Sequence, residues 1–162
     1  MIRKARYTDI ARIAEIIIFA KRTAYRPIFQ NDQVSFNELT VLNEIEALKK
    51  EDALEQIIVY DDTIVKGMMK LGRPSDKDYD NSQQIYELFV DPFFQGAGIG
   101  GELMKHCLGE AENQKMTSVI LWVLEKNNIA RNFYHKYGFS FDGCKKLEEG
   151  TEEYILRYEK QL

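Results

Sequence analysis

The stretch LFVDPFFQGAGIGGELM, residues 88–104, decides the fold of this chain. It carries four glycines, Gly96, Gly98, Gly100 and Gly101, where an apolar strand ends and a helix is predicted to begin. Glycines let backbone amides approach a ligand closely, and a helix N-terminus adds free N–H groups and a partial positive charge. The stretch therefore predicts a loop that holds a negatively charged group.

The glycines alone also fit three other interpretations, which the neighbouring residues distinguish. A tight turn that binds nothing is the simplest of them. The phosphate-binding loop of nucleoside triphosphatases is excluded, because Glu102 stands where Lys followed by Ser or Thr is needed. Residues 96–101 satisfy the dinucleotide fingerprint G-x-G-x-x-G, and Glu125 ends the next predicted strand. The insertion DPFFQ (91–95) and the antiparallel meander before it make an NAD(P)-binding oxidoreductase the less favoured alternative.

Length and charge limit what the chain can be. Its 162 residues, 44% hydrophobic and 30% charged, predict a single domain over residues 1–162 around one core. The formal net charge of −4 argues against a nucleic-acid partner, which would require a basic stripe. Local donors must therefore hold any anionic ligand, since the overall field does not attract it.

The lengths of the apolar segments and the spacing of the cysteines indicate the cellular location and whether a metal site is expected. The apolar runs are far shorter than the roughly 20 residues that span a membrane, and the first residues lack an apolar signal core. A cytoplasmic protein without a membrane partner is therefore the expectation. Cys107 and Cys144 show no metal-ligand spacing, His106 and His135 are expected to be solvated, and no metal site is predicted.

Residue periodicity predicts helices in the first third of the chain. A first strand over residues 1–7 precedes a helix from Ile10 to about Tyr25, capped by Thr8 or Asp9. Pro27 is expected to end or bend that helix. The next predicted elements are a helix over 35–50 with Leu39, Leu42, Ile45 and Leu48 on its inner side and a hairpin over 55–72 that turns at Asp61-Asp62.

Alternation and turn residues predict the rest. A polar loop over 73–83 leads into a central strand over 84–90, which Asp91-Pro92 ends. The order is β-α-α-β-β-β-α-β-α-β-β, an α/β (α+β) domain with a mixed sheet and helices on its faces. The later elements are a helix over 101–114 with the stripe Ile99, Leu103, Cys107 and Ala111, a buried strand over 118–125, a helix from Asn127 or Asn128 through Tyr137 with Ile129, Phe133 and Tyr137 on one side, a left-handed Gly138, and two closing strands over 139–160 around Glu149-Gly150.

The glycine loop and, farther along the chain, the segment NNIARNFYHKYGF (127–139) resemble the two signature motifs of the GNAT acyltransferase superfamily. That family's pyrophosphate loop, [Gln/Arg]-x-x-G-x-[Gly/Ala], is matched by Gln95, Gly98 and Gly100. The order of elements agrees as well, so the resemblance covers essentially the whole chain. It implies a mixed, mostly antiparallel central sheet of about seven strands flanked by about four helices. The second signature, Asn-x-x-Ala, then Phe-Tyr, then Gly-Phe, is matched by Asn127, Ala130, Phe133, Tyr134, Gly138 and Phe139.

The resemblance implies acetyl-CoA as the cofactor. In the family, the loop amides bind the CoA pyrophosphate, here those of residues 95–101. The strand before the loop pairs with the pantetheine arm and splays from the following strand, and a backbone N–H there polarises the thioester carbonyl. Asn127 contacts the pantetheine arm in this scheme, and it can also cap its helix. The implied cofactor-binding residues are Leu88, Phe89, Val90, Gln95, Gly96, Ala97, Gly98, Ile99, Gly100, Gly101, Asn127 and Tyr134.

The implied reaction is acetylation of a primary amine by direct attack in a ternary complex. Tyr134 occupies the family position that protonates the departing thiolate, with a core aromatic as the alternative interpretation. Glu87 is the lone charge in an apolar strand and the candidate general base, because burial makes a carboxylate more basic. The alternative is a strand residue that faces solvent or pairs with a lysine.

The acceptor is a small-molecule or peptide amine. In this fold the substrate side would include Tyr25, Phe29, Phe36 and the loop over 73–83, whose acidic residues either attract a cationic amine or simply keep the loop solvated. A homodimer is left open. The main alternative function is a non-catalytic acyl-CoA-binding sensor or regulatory domain, which retention of Tyr134 and Glu87 disfavours.

Overall fold

The computed structural model describes residues 1–76 and 78–162. Lys77, in the predicted loop over 73–83, lies outside the described residues. The strands are β1 (Ile2–Lys4), β2 (Ile57–Asp62), β3 (Ile64–Gly72), β4 (Ser82–Val90), β5 (Ser118–Leu124), β6 (Ser140–Leu147) and β7 (Tyr154–Gln161). The helices are α1 (Ile10–Phe29), α2 (Val41–Leu48), α3 (Ile99–Asn113) and α4 (Asn128–Lys136), with short helical turns at Tyr7–Asp9, Val34–Glu38 and Pro92–Phe94.

The seven strands form a mixed sheet in the order β1-β2-β3-β4-β5-β7-β6. The pairs β1–β2, β2–β3, β5–β7 and β6–β7 are antiparallel, whereas β4 and β5 are parallel, with Ser82 opposite Ser118 and Ile85 opposite Leu121. Strand β4 occupies the fourth position, as its apolar faces predicted. The predicted fold class and order of elements are confirmed.

Contacts divide the chain into two compact units. The first comprises Met1–Leu71 and Glu87–His106, and the second comprises Gly72–Tyr86 and Cys107–Leu162. Each unit has buried residues of its own. One domain over residues 1–162 stays a prediction.

Helix α1 supplies much of the core of the first unit. Its inner side buries residues at spacings of three and four, as the periodicity predicted. The expected end near Tyr25 is wrong, because the helix continues through Pro27 to Phe29. Gln30 ends it by adopting φ 51°, with its amide donating to the Arg26 carbonyl at 2.9 Å. Proline costs the last turn only one amide donor, so the helix survives it. The buried residues of α1 are Ile10, Ile13, Ala14, Ile16, Ile17, Ile18 and Ala20.

The start of α1 differs from the predicted cap. Asp9 stands at the N-cap position, but its carboxylate makes no cap hydrogen bond to the helix. It accepts instead from the Arg6 amide at 2.8 Å and from both Nη atoms of Arg3, at 2.7 and 3.0 Å. The Arg3 guanidinium holds the pKa of Asp9 below its usual value.

The predicted continuous helix over residues 35–50 is wrong. A π-helical turn at Val34–Glu38 is separated from α2 by Thr40, whose hydroxyl accepts from the Asn43 amide at 3.2 Å. Thr40 therefore caps a new helix, as Thr does well. Leu42, predicted to face inward, is 74% exposed. The residues of α2 on the inner side are Val41, Ile45 and Leu48.

The hairpin of β2 and β3 turns one residue later than predicted. Thr63 lies between the strands with φ 67°, and a register shift occurs between Tyr60 and Asp61. In β3, a Cβ on Gly67 would lie 2.9 Å from the Ile99 side chain and 3.2 Å from the Phe89 carbonyl. Glycine at this position thus lets the start of α3 pack closely on β3.

The second unit contains β5, β6, β7 and α4. Strand β5 is nearly all buried, as predicted, and Gly138 follows α4 with φ 86°. Ile129, predicted on the same side of α4 as Phe133 and Tyr137, is 87% exposed. The inward aromatic contacts come from the later turns of α4, where Phe133 lies 5.0 Å from Tyr137 between ring centroids.

Candidate functional site

The glycine loop begins at a fixed turn in the first unit. The Asp91 carboxylate accepts a hydrogen bond from the Phe93 amide at 2.8 Å and so caps the turn at Pro92–Phe94. Gln95, the first residue of the predicted pyrophosphate motif, donates from Nε2 to the Val90 carbonyl at 3.4 Å. Proline at the first turn position fits, because its missing N–H is not needed there.

Two glycines of the loop have backbone conformations that favour glycine. Gly96 has φ 80° and Gly98 has φ 83°, and a Cβ on either would meet nothing within 4 Å. These positions therefore need glycine for the backbone angle and not for space.

The loop delivers its last residues to the N-terminus of α3. That helix begins at Ile99, two residues before the predicted start, and its first bond runs from the Glu102 amide to the Gly98 carbonyl at 3.1 Å. The amides of Ile99, Gly100 and Gly101 precede that bond and have no acceptor of their own in the helix. Together with the helix dipole they can hold an anion.

Glu87, the predicted general base, lies in β4 within the first unit. Its side chain is 25% exposed, and its Oε1 lies 3.1 Å from Lys21 Nζ of α1. The Lys21 ammonium also lies 5.7 Å from the centroid of the Phe89 ring. The structure thus shows the lysine pairing that was the alternative interpretation, and the catalytic role of Glu87 stays a prediction.

Glu44 of α2 is a titratable residue that the sequence patterns did not single out. Burial, with Glu87 acting in the same direction, raises the pKa of Glu44, while Lys21 and Lys70 lower it. The residue was missed because Leu42 was assigned to the inner side of this helix, next to Ile45 and Leu48, where the structure places Val41. The spacing Val41, Glu44, Ile45 is the correct inward pattern and is readable from sequence once the helix start at Thr40 is known.

The aromatic residues predicted on the acceptor side lie in the first unit. The Tyr25 ring packs edge-on against Phe29 at 6.1 Å and against Phe89 at 6.4 Å between centroids. Phe36 instead lies under two guanidinium groups, those of Arg22 at 5.2 Å and Arg26 at 5.5 Å. Tyr25 is therefore placed beside β4.

The second unit holds Asn127 and Tyr134. Asn127 Oδ1 accepts from the Ala130 amide at 3.1 Å, which confirms the predicted N-cap. Tyr134 is half-buried, with its ring 5.5 Å from Phe133 and 6.0 Å from Phe139 between centroids. An aromatic packing role is thus present, and the proton-donor role of Tyr134 stays a prediction, as does a pantetheine contact by Asn127.

Polar residues of the loop over 73–83 pair within the second unit. Asp76 lies 3.4 Å from Arg157 Nη1, and the Tyr79 hydroxyl lies 3.2 Å from an Asp142 oxygen. Burial, with nearby Glu159, raises the pKa of Tyr79 to about 12. Asp76 is therefore already compensated by a cation, while attraction of an amine by this loop stays a prediction.

The remaining candidates are the two histidines and Cys107. Both histidines are exposed, as expected, and His135 also bonds through Nδ1 to the Phe139 carbonyl and through Nε2 to the Tyr158 hydroxyl, both at 3.1 Å. Cys107 is buried, which raises its pKa to about 12 and matches the predicted core position. Among residues 1–76 and 78–162, no three His, Cys, Asp or Glu side chains gather closely enough for a metal ion. No helix in the same residues is both long and apolar enough to cross a membrane.

Comparison with known proteins identifies the family. The family model described as an acetyltransferase (GNAT) domain matches residues 53–141, more than half of the chain. The chain belongs to the GNAT acetyltransferase family. The matched region of this GNAT chain contains β4, the glycine loop, α3 and α4, and so the motifs on which the resemblance rested.

Individual relatives match shorter stretches. An uncharacterised N-acetyltransferase of Methanocaldococcus jannaschii is 41% identical over 56 residues, covering 35% of this GNAT chain and 25% of that protein. A peptidyl-lysine N-acetyltransferase of Escherichia coli is 32% identical over 76 residues, covering 47% of this chain and 48% of that protein. The chain spans only 25% to 35% of the length of three curated relatives that it matches.

A solved structure matches the whole GNAT chain. The PaiA N-acetyltransferase from Thermoplasma acidophilum, in complex with coenzyme A, superposes with a TM-score of 0.72, covering 100% of this chain and 98% of that one. Its sequence identity is 20%, so this likeness shows the fold.

Proposed function

We propose that this protein is an N-acetyltransferase that transfers the acetyl group of acetyl-CoA to a primary amine by direct attack within a ternary complex. The observation that carries the proposal is the glycine loop, where two residues with positive φ precede three amides that have no acceptor within α3. Family membership and a structural neighbour in complex with coenzyme A support the same ligand.

The loop geometry suits a pyrophosphate. Amides of residues 95–101 bind its oxygens, and the dipole of α3 adds attraction that the net charge of −4 does not supply. Backbone groups of Leu88, Phe89 and Val90 hold the pantetheine arm, and an amide there polarises the thioester carbonyl. Asn127 keeps its cap and adds a contact to that arm.

Acetyl-CoA supplies the activated acetyl group as a thioester, and the protein moves two protons. An amine with a pKa near 10 is protonated at neutral pH, so it must lose a proton before or during attack. Glu87 takes that proton on a carboxylate oxygen, directly or through water. Tyr134 gives the proton of its hydroxyl to the departing sulfur as the carbon–sulfur bond breaks. The new carbon–nitrogen bond leaves one further proton on the nitrogen, and its transfer through water restores the Tyr134 hydroxyl.

The acceptor is a small molecule or a peptide with a free primary amine. A peptidyl-lysine N-acetyltransferase among the relatives supports the peptide class. In the first unit, Glu87 already binds one primary ammonium, that of Lys21. The carboxylate position therefore suits an amine of the same chemistry.

An acetyl-CoA turnover screen over a panel of small amines and lysine peptides, read by release of free thiol, tests the proposal. Thiol release that depends on one amine class supports an acetyltransferase. Binding of acetyl-CoA without turnover on any amine supports the sensor alternative. Absence of both binding and turnover contradicts the proposal.

Tyr134→Phe should reduce turnover at least tenfold while leaving acetyl-CoA affinity nearly unchanged, because only the hydroxyl proton is removed. The measurement is kcat with the best amine, beside acetyl-CoA titration by calorimetry. Tyr137→Phe, in the same half-buried aromatic group, is the matched control. Equal turnover in Tyr134→Phe and wild type would remove the assignment.

Glu87→Gln should change the pH dependence of kcat/KM, because the amide cannot accept the amine proton. The acidic limb of the profile is the feature to follow, with acetyl-CoA saturating. Glu153→Gln removes another ion-paired carboxylate of similar exposure, 19% against 25%, and serves as the control. A profile of unaltered shape in Glu87→Gln means that the base is another group.

A further inference from the structure

Asp91 ends β4 in the first unit and is almost fully buried, with 1% of its surface exposed. Its Oδ1 accepts from the Phe93 amide at 2.8 Å, and its carbonyl accepts from the Phe94 amide at 2.8 Å. Its own amide donates to the Lys66 carbonyl of β3 at 2.9 Å. Asp91 therefore fixes the turn that leads from the sheet into the glycine loop.

One guanidinium from α1 holds the second oxygen of this carboxylate. Arg12 Nη2 donates to Asp91 Oδ2 at 2.5 Å, Nε donates to the Val65 carbonyl at 2.9 Å, and Nη1 donates to Glu15 at 3.0 Å. These three bonds use the fixed planar fork of arginine, which the single ammonium of lysine does not reproduce. Arg12 thereby connects α1, β3 and the turn after β4.

The loop beyond this turn has few constraints of its own. Gly96, Ala97 and Gly98 are exposed, and Gln95 holds the loop through a long hydrogen bond of 3.4 Å to Val90. The path of residues 95–98 is therefore set by its two ends, the turn at Asp91 and the start of α3. A displaced turn would misdirect the loop amides.

Stability alone does not call for a buried carboxylate at this position. Replacement of a buried ion pair by apolar residues of similar volume is often neutral, because a charge loses water on burial, and here Asp91 is buried while Arg12 is 26% exposed. What the guanidinium adds is a fixed direction for the three groups to which it donates.

We infer that Arg12 is a positioning residue for the glycine loop: through Asp91 it orients the turn at Pro92–Phe94 so that the amides of residues 95–101 converge on the CoA pyrophosphate. The inference rests on the proposed function, which supplies the pyrophosphate. Arg12 itself touches neither the cofactor nor the acceptor amine in this scheme.

Arg12→Lys is the decisive variant, and it keeps the charge while losing the fork. We expect its Kd for CoA, measured by calorimetry, to rise about tenfold. Amide hydrogen exchange over residues 92–98 should become faster in the same variant, with or without CoA. Circular dichroism and the thermal midpoint show whether Arg12→Lys is folded. If Arg12→Lys does not fold, Asp91→Asn takes its place, because the asparagine retains the acceptor for the Phe93 amide.

Arg3→Lys is the matched control. Arg3 also lies in the first unit, with a side chain 16% exposed against 26% for Arg12, and it donates to the two carboxylates of Asp9 and Asp61. Neither of these carboxylates belongs to the loop turn, so we expect the Kd for CoA to stay within twofold of wild type even if the thermal midpoint falls.

Three outcomes overturn the inference. The first is a Kd for CoA in Arg12→Lys within twofold of wild type, and the second is an equal loss of affinity in Arg3→Lys, which would show a general effect of destabilisation. The third is unchanged exchange over residues 92–98. The exchange measurement tests the inference even if the wild-type protein fails to bind CoA. Failure to bind CoA would by itself contradict the proposed function.

Discussion

At the scale of single residues, the raised pKa of the half-buried Glu44 makes the stability of the protein depend on pH. Because burial raises the pKa of Glu44 in the folded protein above its ordinary value of 4.5, the folded state binds this proton more tightly than the unfolded state. The stabilisation from proton binding is complete below pH 4.5 and is lost as the pH rises through the folded pKa. At neutral pH the ionised carboxylate therefore lowers the free energy of unfolding.

Glu44→Gln should accordingly raise the thermal midpoint at pH 7, and the difference from wild type should vanish below about pH 4. Thermal unfolding from pH 3 to pH 8, followed by circular dichroism, gives both curves. Glu46→Gln is the control, because Glu46 is exposed in the same helix and bonds to Lys49 at 2.8 Å. A midpoint difference for Glu44→Gln that does not depend on pH would contradict the prediction.

At the scale of elements, the start and the interior of α3 place opposite demands on glycine. Gly98→Ala should destabilise the protein by about 1 kcal/mol, because φ 83° is strained for any residue with a Cβ, and it should weaken CoA binding. Gly109→Ala in the same helix meets nothing within 4 Å and should be neutral or stabilising by up to about 1 kcal/mol. Denaturant unfolding and CoA titration of both variants test the contrast, which fails if both shift stability in the same direction.

Local signals predicted most elements, and their failures have identifiable causes. The helix over residues 35–50 split because the hydroxyl of Thr40 caps a second helix, a competition that periodicity alone does not reveal. Helix α1 outlasted Pro27 because only one amide bond is lost near its end. The glycine loop and its helix were predicted well because their signal is a backbone requirement of the residues themselves.

At the scale of the whole molecule, ligand binding should raise stability by mass action. Acetyl-CoA at 100 times its Kd adds about 2.7 kcal/mol to the free energy of unfolding, which corresponds to about 5 to 10 °C in the thermal midpoint for a chain of this size. NAD(P) at the same concentration should give no shift. A shift with NAD(P) and none with acetyl-CoA would favour the oxidoreductase alternative.

The sequence by itself determined the order of elements, the presence of a helix after the glycine loop and a helix cap at Asn127 or Asn128. The last two depend on the conformational preferences of a few adjacent residues, which are the same in any surroundings.

Only the tertiary structure decided which charged residues meet. Lys21 reaches Glu87 across 66 positions of the chain, and Arg12 reaches Asp91 across 79. It also decided that Leu42 and Ile129 face solvent while Glu44 is half-buried. Such pairings depend on where helices pack and how much water they exclude, and the free energy of a charge changes with that exclusion.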